Sequence, residues 1–354
     1  MAHNYGLPYK GSKNTIAERI VERLPSGGRF LDACCGGGAI SHAAYLSGRY
    51  ASVTGYDINR SIITLLDAVM VKGGQIDYEG FPLVTMEEFY EAKDRWDDGN
   101  LHDAVIRYVA SFGFNGQDYL WGKDRLQYKY IMHNVVNAKS KFERRESLRD
   151  LINVLAVAKI PYDSVDFKNL AHIEQIQNLY RIKCVEDEMM RAKDAIACEI
   201  SFGVSSMFDI CYEKYDVCYF DPPYKSAQRR YNHKDFSQIV FKALLGALKS
   251  EGKTVFVSEY ENPDENLFTE VASFKKSSTQ AATVNKSVTE RLFFMGTADE
   301  YRKLTGKEIV CGTQAEATVE TGGHGDDSPD GIRPATGGEQ CTETDAIGDE
   351  DLAS

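Results

Sequence analysis

No two cysteines of this chain stand at the C-x-x-C spacing, although it holds eight of them. That absence removes the zinc knuckle and the dithiol redox site, and the scattered thiols outline no disulfide framework. Reduced thiols and a start without the charged and apolar regions of a leader make the cytoplasm the expected location. No apolar run approaches the ~20 residues that cross a bilayer, so no membrane partner is expected. No metal is expected either, because no C-x-x-C pair signals a zinc site. Positive charge is also in short supply, with a formal net charge of −12. An acidic chain repels nucleic acid only if the acidity is spread along it. From Lys307 onward, twelve acids stand against two bases, which leaves the first 306 residues close to neutral. Charges are screened beyond ~8 Å at physiological salt, so this tail does not speak for the remainder. The tail has no hydrophobic period and too little apolar surface to fold, and residues 306–354 are expected to be disordered.

What is present suffices for an α/β core and a smaller second unit, with 354 residues of which 43% are hydrophobic. Tyr9-Lys10-Gly11-Ser12-Lys13 leads into a helical pattern with Ile16, Ile20 and Leu24 on one face, and Ser12 or Asn14 is the expected cap. A ring and an ammonium four residues apart at such a turn could hold a flat base and a carboxylate. An ordinary capped surface helix fits the same residues.

A short strand, Arg29 to Ala33, then runs into Cys34-Cys35-Gly36-Gly37-Gly38 and a helix near Ala39. Strand, glycine turn and helix form the cofactor corner of a doubly wound sheet, where backbone approaches ligand and no Cβ is tolerated. The next strand ends on Asp57, about twenty residues on, where a carboxylate grips a ribose diol. Two features turn the corner away from NAD. Asp32 would face a pyrophosphate with a like charge, and Ser41 occupies the third glycine position of the dinucleotide fingerprint. S-adenosylmethionine brings an ammonium and no phosphate, and it suits Asp32, Gly36, Gly38 and Asp57.

A helix carrying Ile62, Ile63, Leu66, Val69 and Met70 stops at Gly73-Gly74, and Thr85-Met86-Glu87-Glu88 is a capping box that opens another. From Leu101 to about Asp194 the strand and helix rhythm is lost. Between Lys123 and Arg149 eight bases outnumber three acids, with aromatic and amide side chains interleaved. Lys123, Arg125, Lys129, Lys139, Lys141, Arg144 and Arg145 have the composition of a phosphate-binding surface. A solvated helical face with internal ion pairs has it too. Ser140 to Lys159 reads as a helix with Leu148, Leu151, Ile152 and Leu155 inward.

The rhythm returns past Ile196. A strand ending at Phe220 empties into Asp221-Pro222-Pro223-Tyr224, followed by a polar segment with Arg229 and Arg230 that could reach phosphates, and by a helix capped by Asp235. Neither proline offers an N–H, so the turn is stiff and presents acceptors. The carboxylate of Asp221 and the carbonyl of Pro222 could accept the two hydrogens of an exocyclic amine and aim its lone pair at a methyl sulfonium. Tyr224 would stack on the ring. A base inside a duplex is out of reach for this chemistry and must be flipped out.

In this order the motifs resemble those of the Dam-like, alpha-group DNA adenine methyltransferases. The likeness covers residues 5 to 74 and 196 to 297, and takes in Ser258-Glu259-Tyr260 and Thr289-Glu290-Arg291-Leu292-Phe293. The family has an aromatic residue where Cys34 stands. The resemblance implies an α/β, Rossmann-like S-adenosylmethionine-dependent methyltransferase core with an inserted, mainly helical target-recognition domain. The expected divisions are 1–100 and 196–305 for the core, 101–195 for the insertion and 306–354 for the tail. It further implies that Tyr9, Lys13, Asp57 and Asp221 contact S-adenosylmethionine and that Asp221 to Tyr224 carry the transfer. Double-stranded DNA is the expected substrate, and a cognate restriction endonuclease is a candidate partner. Enzymes acting on RNA or on the cytosine amine, and a DNA-binding module without catalysis, are the alternatives; serine before the prolines would mark the cytosine case.

Overall fold

A computed structural model of the chain describes residues 5–95, 98–123, 126–136, 138–157, 174–223, 236–277 and 287–310. The second compact unit, Ala315–Ser354, lies wholly outside them, as does most of the expected tail.

The first helix, α1 (Ala17–Arg23), buries Ile16, Ile20 and Leu24, as their spacing requires. Neither Ser12 nor Asn14 caps it. Ser12 Oγ accepts from the Asn14 N–H at 3.2 Å and Asn14 Oδ1 from the Thr15 N–H at 2.9 Å, so both oxygens are spent on the turn before the helix begins.

The strands are β1 (Arg29–Asp32), β2 (Ser52–Asp57), β3 (Glu199–Val204), β4 (Val217–Phe220), β5 (Thr254–Glu259), β6 (Phe268–Ser277) and β7 (Ser287–Met295). They form one seven-stranded sheet in the order β3-β2-β1-β4-β5-β7-β6. The first five are parallel, and β7 runs antiparallel between β5 and β6. Parallel strands are covered on both faces, which explains why all four residues of β4, Val-Cys-Tyr-Phe, are buried. Two apolar clusters do the covering. One holds Phe30, Tyr219, Phe256 and Phe294, and the other Leu31, Phe220, Val257 and Phe293.

The helix after β1, α2 (Ala39–Leu46), starts at Gly38 in the left-handed region. After β2 comes α3 (Arg60–Leu66), capped by Asn59, which continues into a wider π turn, Asp67–Lys72, and stops at Gly73. A Cβ on Gly73 would strike Met190 Sδ, and the Gly74 N–H donates to Glu186. Between β2 and β3 the described residues form helices and turns and contribute no strand to the sheet. These helices are α4 (Met86–Asp94), α5 (Leu101–Val109), α6 (Leu126–Val136), α7 (Lys141–Val157) and α8 (Glu174–Ala192). The capping box of Thr85 and Glu88 is formed. A third cluster, with Phe89, Ile106, Trp121, Met132, Leu151 and Leu155, gives these helices their own core. Helix α8 joins it at Ile176 and reaches the sheet's cluster with Ile182, Val185 and Met189.

Two local expectations are corrected. Ile152 is 48% exposed, because Leu151 and Leu155, one turn apart, already make the buried stripe of α7 and Ile152 points about 100° away. The cap of α9 (Gln238–Ser250) is Ser237, which accepts from the Val240 N–H, whereas Asp235 lies outside the described residues. The last helix, α10 (Ala298–Thr305), is followed by Val310, which bridges to Ala272 on β6. Cys34, Cys35, Cys184, Cys198, Cys211 and Cys218 are all free thiols. Among the described residues no helix is long and apolar enough to cross a membrane, and no group of side chains could hold a metal ion.

Candidate active site

The strand order reverses between β1 and β4, and the crevice outside their carboxyl ends is where doubly wound sheets bind ligands. Asp32 closes β1 and Asp221 follows β4, so the two acids from distant parts of the chain meet there.

The glycine corner is built around Tyr9 and Asp57. Gly36 has φ +48°, and a Cβ there would lie 2.9 Å from the Tyr9 ring; one on Gly37 would come within 2.6 Å of Tyr9 Cβ. The aromatic turn therefore rests on the glycines, and the absence of side chains is what lets it. Gly38 is excused from a side chain by Leu66, 2.8 Å from where its Cβ would sit. The N–H of Gly36 donates to Asp57 Oδ2 at 3.0 Å and that of Asn59 to Oδ1 at 2.9 Å, which fixes the carboxylate. A carboxylate oriented in this way is turned to receive the hydroxyls of a diol. Tyr108 completes the wall, its ring 5.9 Å from that of Tyr9 and its hydroxyl accepting from Asn59 Nδ2. Gly36→Ala is expected to push Tyr9 off the corner and weaken cofactor binding at least about tenfold, for a strained φ and a steric clash together. Equilibrium binding checks it, and wild-type affinity would show that Tyr9 is not part of the site.

Asp32 is 1% exposed. Its Oδ2 accepts from Ser41 Oγ at 2.8 Å and from the Ser41 N–H at 3.2 Å, while Oδ1 has no hydrogen-bond partner among the described residues. Burial pushes its carboxyl up to about 7, Ser41 opposes the rise, and Asp221 and Asp57 add to it. A buried, half-satisfied carboxyl is poised for a cationic donor. Ser41, which breaks the dinucleotide fingerprint, is thus the residue that holds Asp32.

Asp221 is gripped by Lys13. The ammonium lies 2.8 Å from Oδ1 and 2.7 Å from Oδ2, with Glu290 Oε1 at 3.6 Å. Lys13 is 4% exposed and Asp221 22%. Burial works against the ammonium, but Asp221 and Glu290 outweigh it and hold its pKa above the ordinary lysine range. Lys13 thus faces the acid after β4. Below the pair, the hydroxyl of Tyr219 donates to Ser258 Oγ at 2.7 Å. Glu259, at the end of β5, is pushed up to about 7 by burial, and Asp221 and Glu290 add to the rise. Pro222 is buried and Pro223 half-buried, whereas Tyr224, Arg229 and Arg230 lie outside the described residues.

The basic surface divides in two. Lys123, Lys139, Lys141, Arg144 and Arg145 are exposed; Arg125 lies outside the described residues. Lys129 is mostly covered, its ammonium 2.8 Å from Glu174, which also accepts from Trp121 Nε1 at 3.1 Å. On α7 the acids are partly engaged, Glu146 by Arg149 and Glu143 by the Lys139 N–H. Tyr108 and the bonding of Ser41 were not singled out from sequence, and Glu259 and Glu290 were named there only within family-like stretches, without a role. Tyr108 has the i, i+4 spacing of an ordinary core residue, and the glutamates reach the site through long-range strand pairing, Glu259 by β5 on β4 and Glu290 by β7 on β5.

A model of the D12 class N6 adenine-specific DNA methyltransferase family matches residues 9–285. Among solved structures, the rRNA methyltransferase aviRa from Streptomyces viridochromogenes aligns with 12% identity and a TM-score of 0.32, over 79% of this chain and 82% of that one. That likeness is too distant to bear on the site. A search of curated proteins finds no match.

Proposed function

Because the chain belongs to the D12 class of N6 adenine-specific DNA methyltransferases, we propose that it moves a methyl group from S-adenosylmethionine to the exocyclic amine of an adenine flipped out of duplex DNA. The observation that carries the reading is the meeting of Asp221 and its Lys13 partner with the Asp32 and Asp57 corner across β1 and β4. The corner residues fit the cofactor. The unpartnered Oδ1 of Asp32 suits its ammonium, the oriented carboxylate of Asp57 its ribose, and the Tyr9 ring over Gly36 its adenine. We assign Tyr9, Lys13, Asp32, Gly36, Gly38, Asp57 and Asp221 to cofactor binding and Asp221, Pro222, Pro223 and Tyr224 to the transfer. Lys123, Arg125, Lys129, Lys139, Lys141, Arg144, Arg145, Arg229 and Arg230 are the proposed phosphate contacts, with Lys129 the most covered of those described.

S-adenosylmethionine, when bound, supplies an electrophilic methyl group. Asp221 accepts one amine hydrogen and the Pro222 carbonyl the other, which draws the nitrogen toward tetrahedral geometry. Lys13 keeps the Asp221 carboxylate in one orientation and supplies the positive charge that the cluster of acids around it lacks. The proposed divisions are a core of 1–100 and 196–305, a target-choosing insertion of 101–195 and a tail of 306–354.

Incubation with methyl-labelled cofactor and mixed-sequence duplex DNA is expected to yield labelled N6-methyladenine. No label in any duplex would sink the reading, and label in RNA alone would replace it. Cofactor affinity is expected to rise about tenfold per pH unit below 7 and to flatten above, since Asp32 must lose its proton to face an ammonium. In the free protein the same carboxyl works the other way. The stability linked to it is full below its ordinary 3.8 and is lost as pH rises through about 7. Calorimetric titration in buffers of different ionisation enthalpy reads the released proton. Affinity that stays level from pH 5.5 to 7 would remove Asp32 from the ammonium's partners.

A further inference from the structure

His42, on α2, is completely buried, and nothing in the proposed chemistry uses it. Its Nδ1 accepts the N–H of Gly6 at 3.0 Å, and its Nε2 lies 3.4 Å from Glu188 Oε2 on α8. An amide N–H can only donate, so Nδ1 carries no proton and the tautomer is set with hydrogen on Nε2, toward Glu188. The ring also meets the edge of Tyr5, centroids 5.7 Å apart at 75°.

The segment seated this way leads into the aromatic turn. Leu7 N–H donates to the Gly37 carbonyl at 2.8 Å, Tyr5 N–H to the Asn14 carbonyl at 3.3 Å, and Gly6, at φ +74°, would place a Cβ 2.6 Å from Ala39. Three residues past Gly6 comes Tyr9 on the glycine corner, and four further Lys13 on Asp221. The segment precedes α1 and belongs to no strand, so its position rests on these bonds and on the burial of Tyr5 and Leu7 in the core. His42 ties it to a side chain of α2 and, through Glu188, to α8, while the Tyr5 hydroxyl ties it to Glu18 of α1.

We propose that His42 is a positioning residue for methyl transfer: by holding the Gly6 amide against α2, it seats the segment that carries Tyr9 and Lys13 into the site. The role rests on the cofactor-binding reading of Tyr9 and Lys13. A purely space-filling role and a seating role make opposite demands on the substituent. Leucine restores most of the volume and no acceptor, whereas asparagine is smaller but returns an oxygen near the place of Nδ1.

His42→Asn and His42→Leu, each in the full chain, separate the two. Amide exchange of residues 5–9 in the cofactor-free protein is expected to accelerate at least about tenfold in His42→Leu and to stay within about threefold of wild type in His42→Asn. The KM for S-adenosylmethionine is expected to follow the same order, with a rise of at least about tenfold for leucine. Leucine that protects the segment as well as asparagine does would overturn the proposal. The exchange measurement needs no cofactor. If the wild type bound no S-adenosylmethionine, the functional reading would fall, and the exchange rates would still decide whether His42 holds the segment.

Discussion

Asp221→Asn is expected to lower kcat by about 10²–10³-fold, the size of effect seen when one aligned electrostatic contact to a transition state is lost. The asparagine keeps the shape and one acceptor, but removes the negative charge that faces the amine. It also leaves Lys13, 4% exposed, with Glu290 at 3.6 Å as its nearest described carboxylate. Removing one partner of a buried pair costs about 3–5 kcal/mol, so the melting temperature should fall along with the rate. Retention of duplex DNA separates the two effects, because the proposed phosphate contacts stand on other elements. Retention is expected within about threefold of wild type at a temperature where the variant is folded. If retention falls as far as the rate, Asp221 is a structural residue. A variant that keeps more than a tenth of the rate would clear it of the chemistry.

Lys13→Gln should come next in size, with kcat down by about 10²-fold and an altered pH profile. Asp221, Glu290, Glu259 and Asp32 share the crevice, and Lys13 opposes the rise of Glu259. Without it, Glu259 meets its neighbours' charge uncompensated and holds its proton to higher pH. The acid limb of the rate profile is therefore expected to move up, so that the loss at pH 6 exceeds the loss at pH 8. The stability that Lys13 gains from its raised pKa is present throughout this range, since it disappears only as pH rises through the lysine range and beyond. A rate profile parallel to wild type would mean that the ammonium only packs, and that the acids around it titrate without reference to it.

The two ends of the site were legible in the sequence to different degrees. The glycine corner and Asp221-Pro222-Pro223 are local signals, each a turn whose residue types follow from what the backbone must do there, and the strands leading into them are short apolar runs. Ser12 and Asn14 misled for a related reason. Polar residues before a helix are cap candidates by type, but which of them caps depends on a turn geometry that spacing does not encode. Glu290 and Glu259 stand in stretches that resemble the family, but nothing in those stretches assigns either of them a place in the site. Glu259 arrives through the parallel pairing of β5 with β4, and Glu290 through β7 running back between β5 and β6, pairings over long sequence distance that no periodicity in any of these strands reports. His42 hid among the buried residues of α2, where a single polar ring in an apolar helix signals nothing until its partner is known.

Gly73 lies against Met190, and Gly74 is tied to Glu186. The chain is therefore drawn shut there like a bag at the neck, with α5, inside it, reaching back to α3 and the cofactor corner through Arg107 and Tyr108. The helices beyond α5 can lengthen or shrink there without rethreading a strand. If the insertion chooses the target, as proposed, a graft that exchanges the preference has to carry α5 unchanged, because Tyr108 walls the cofactor corner from inside the neck.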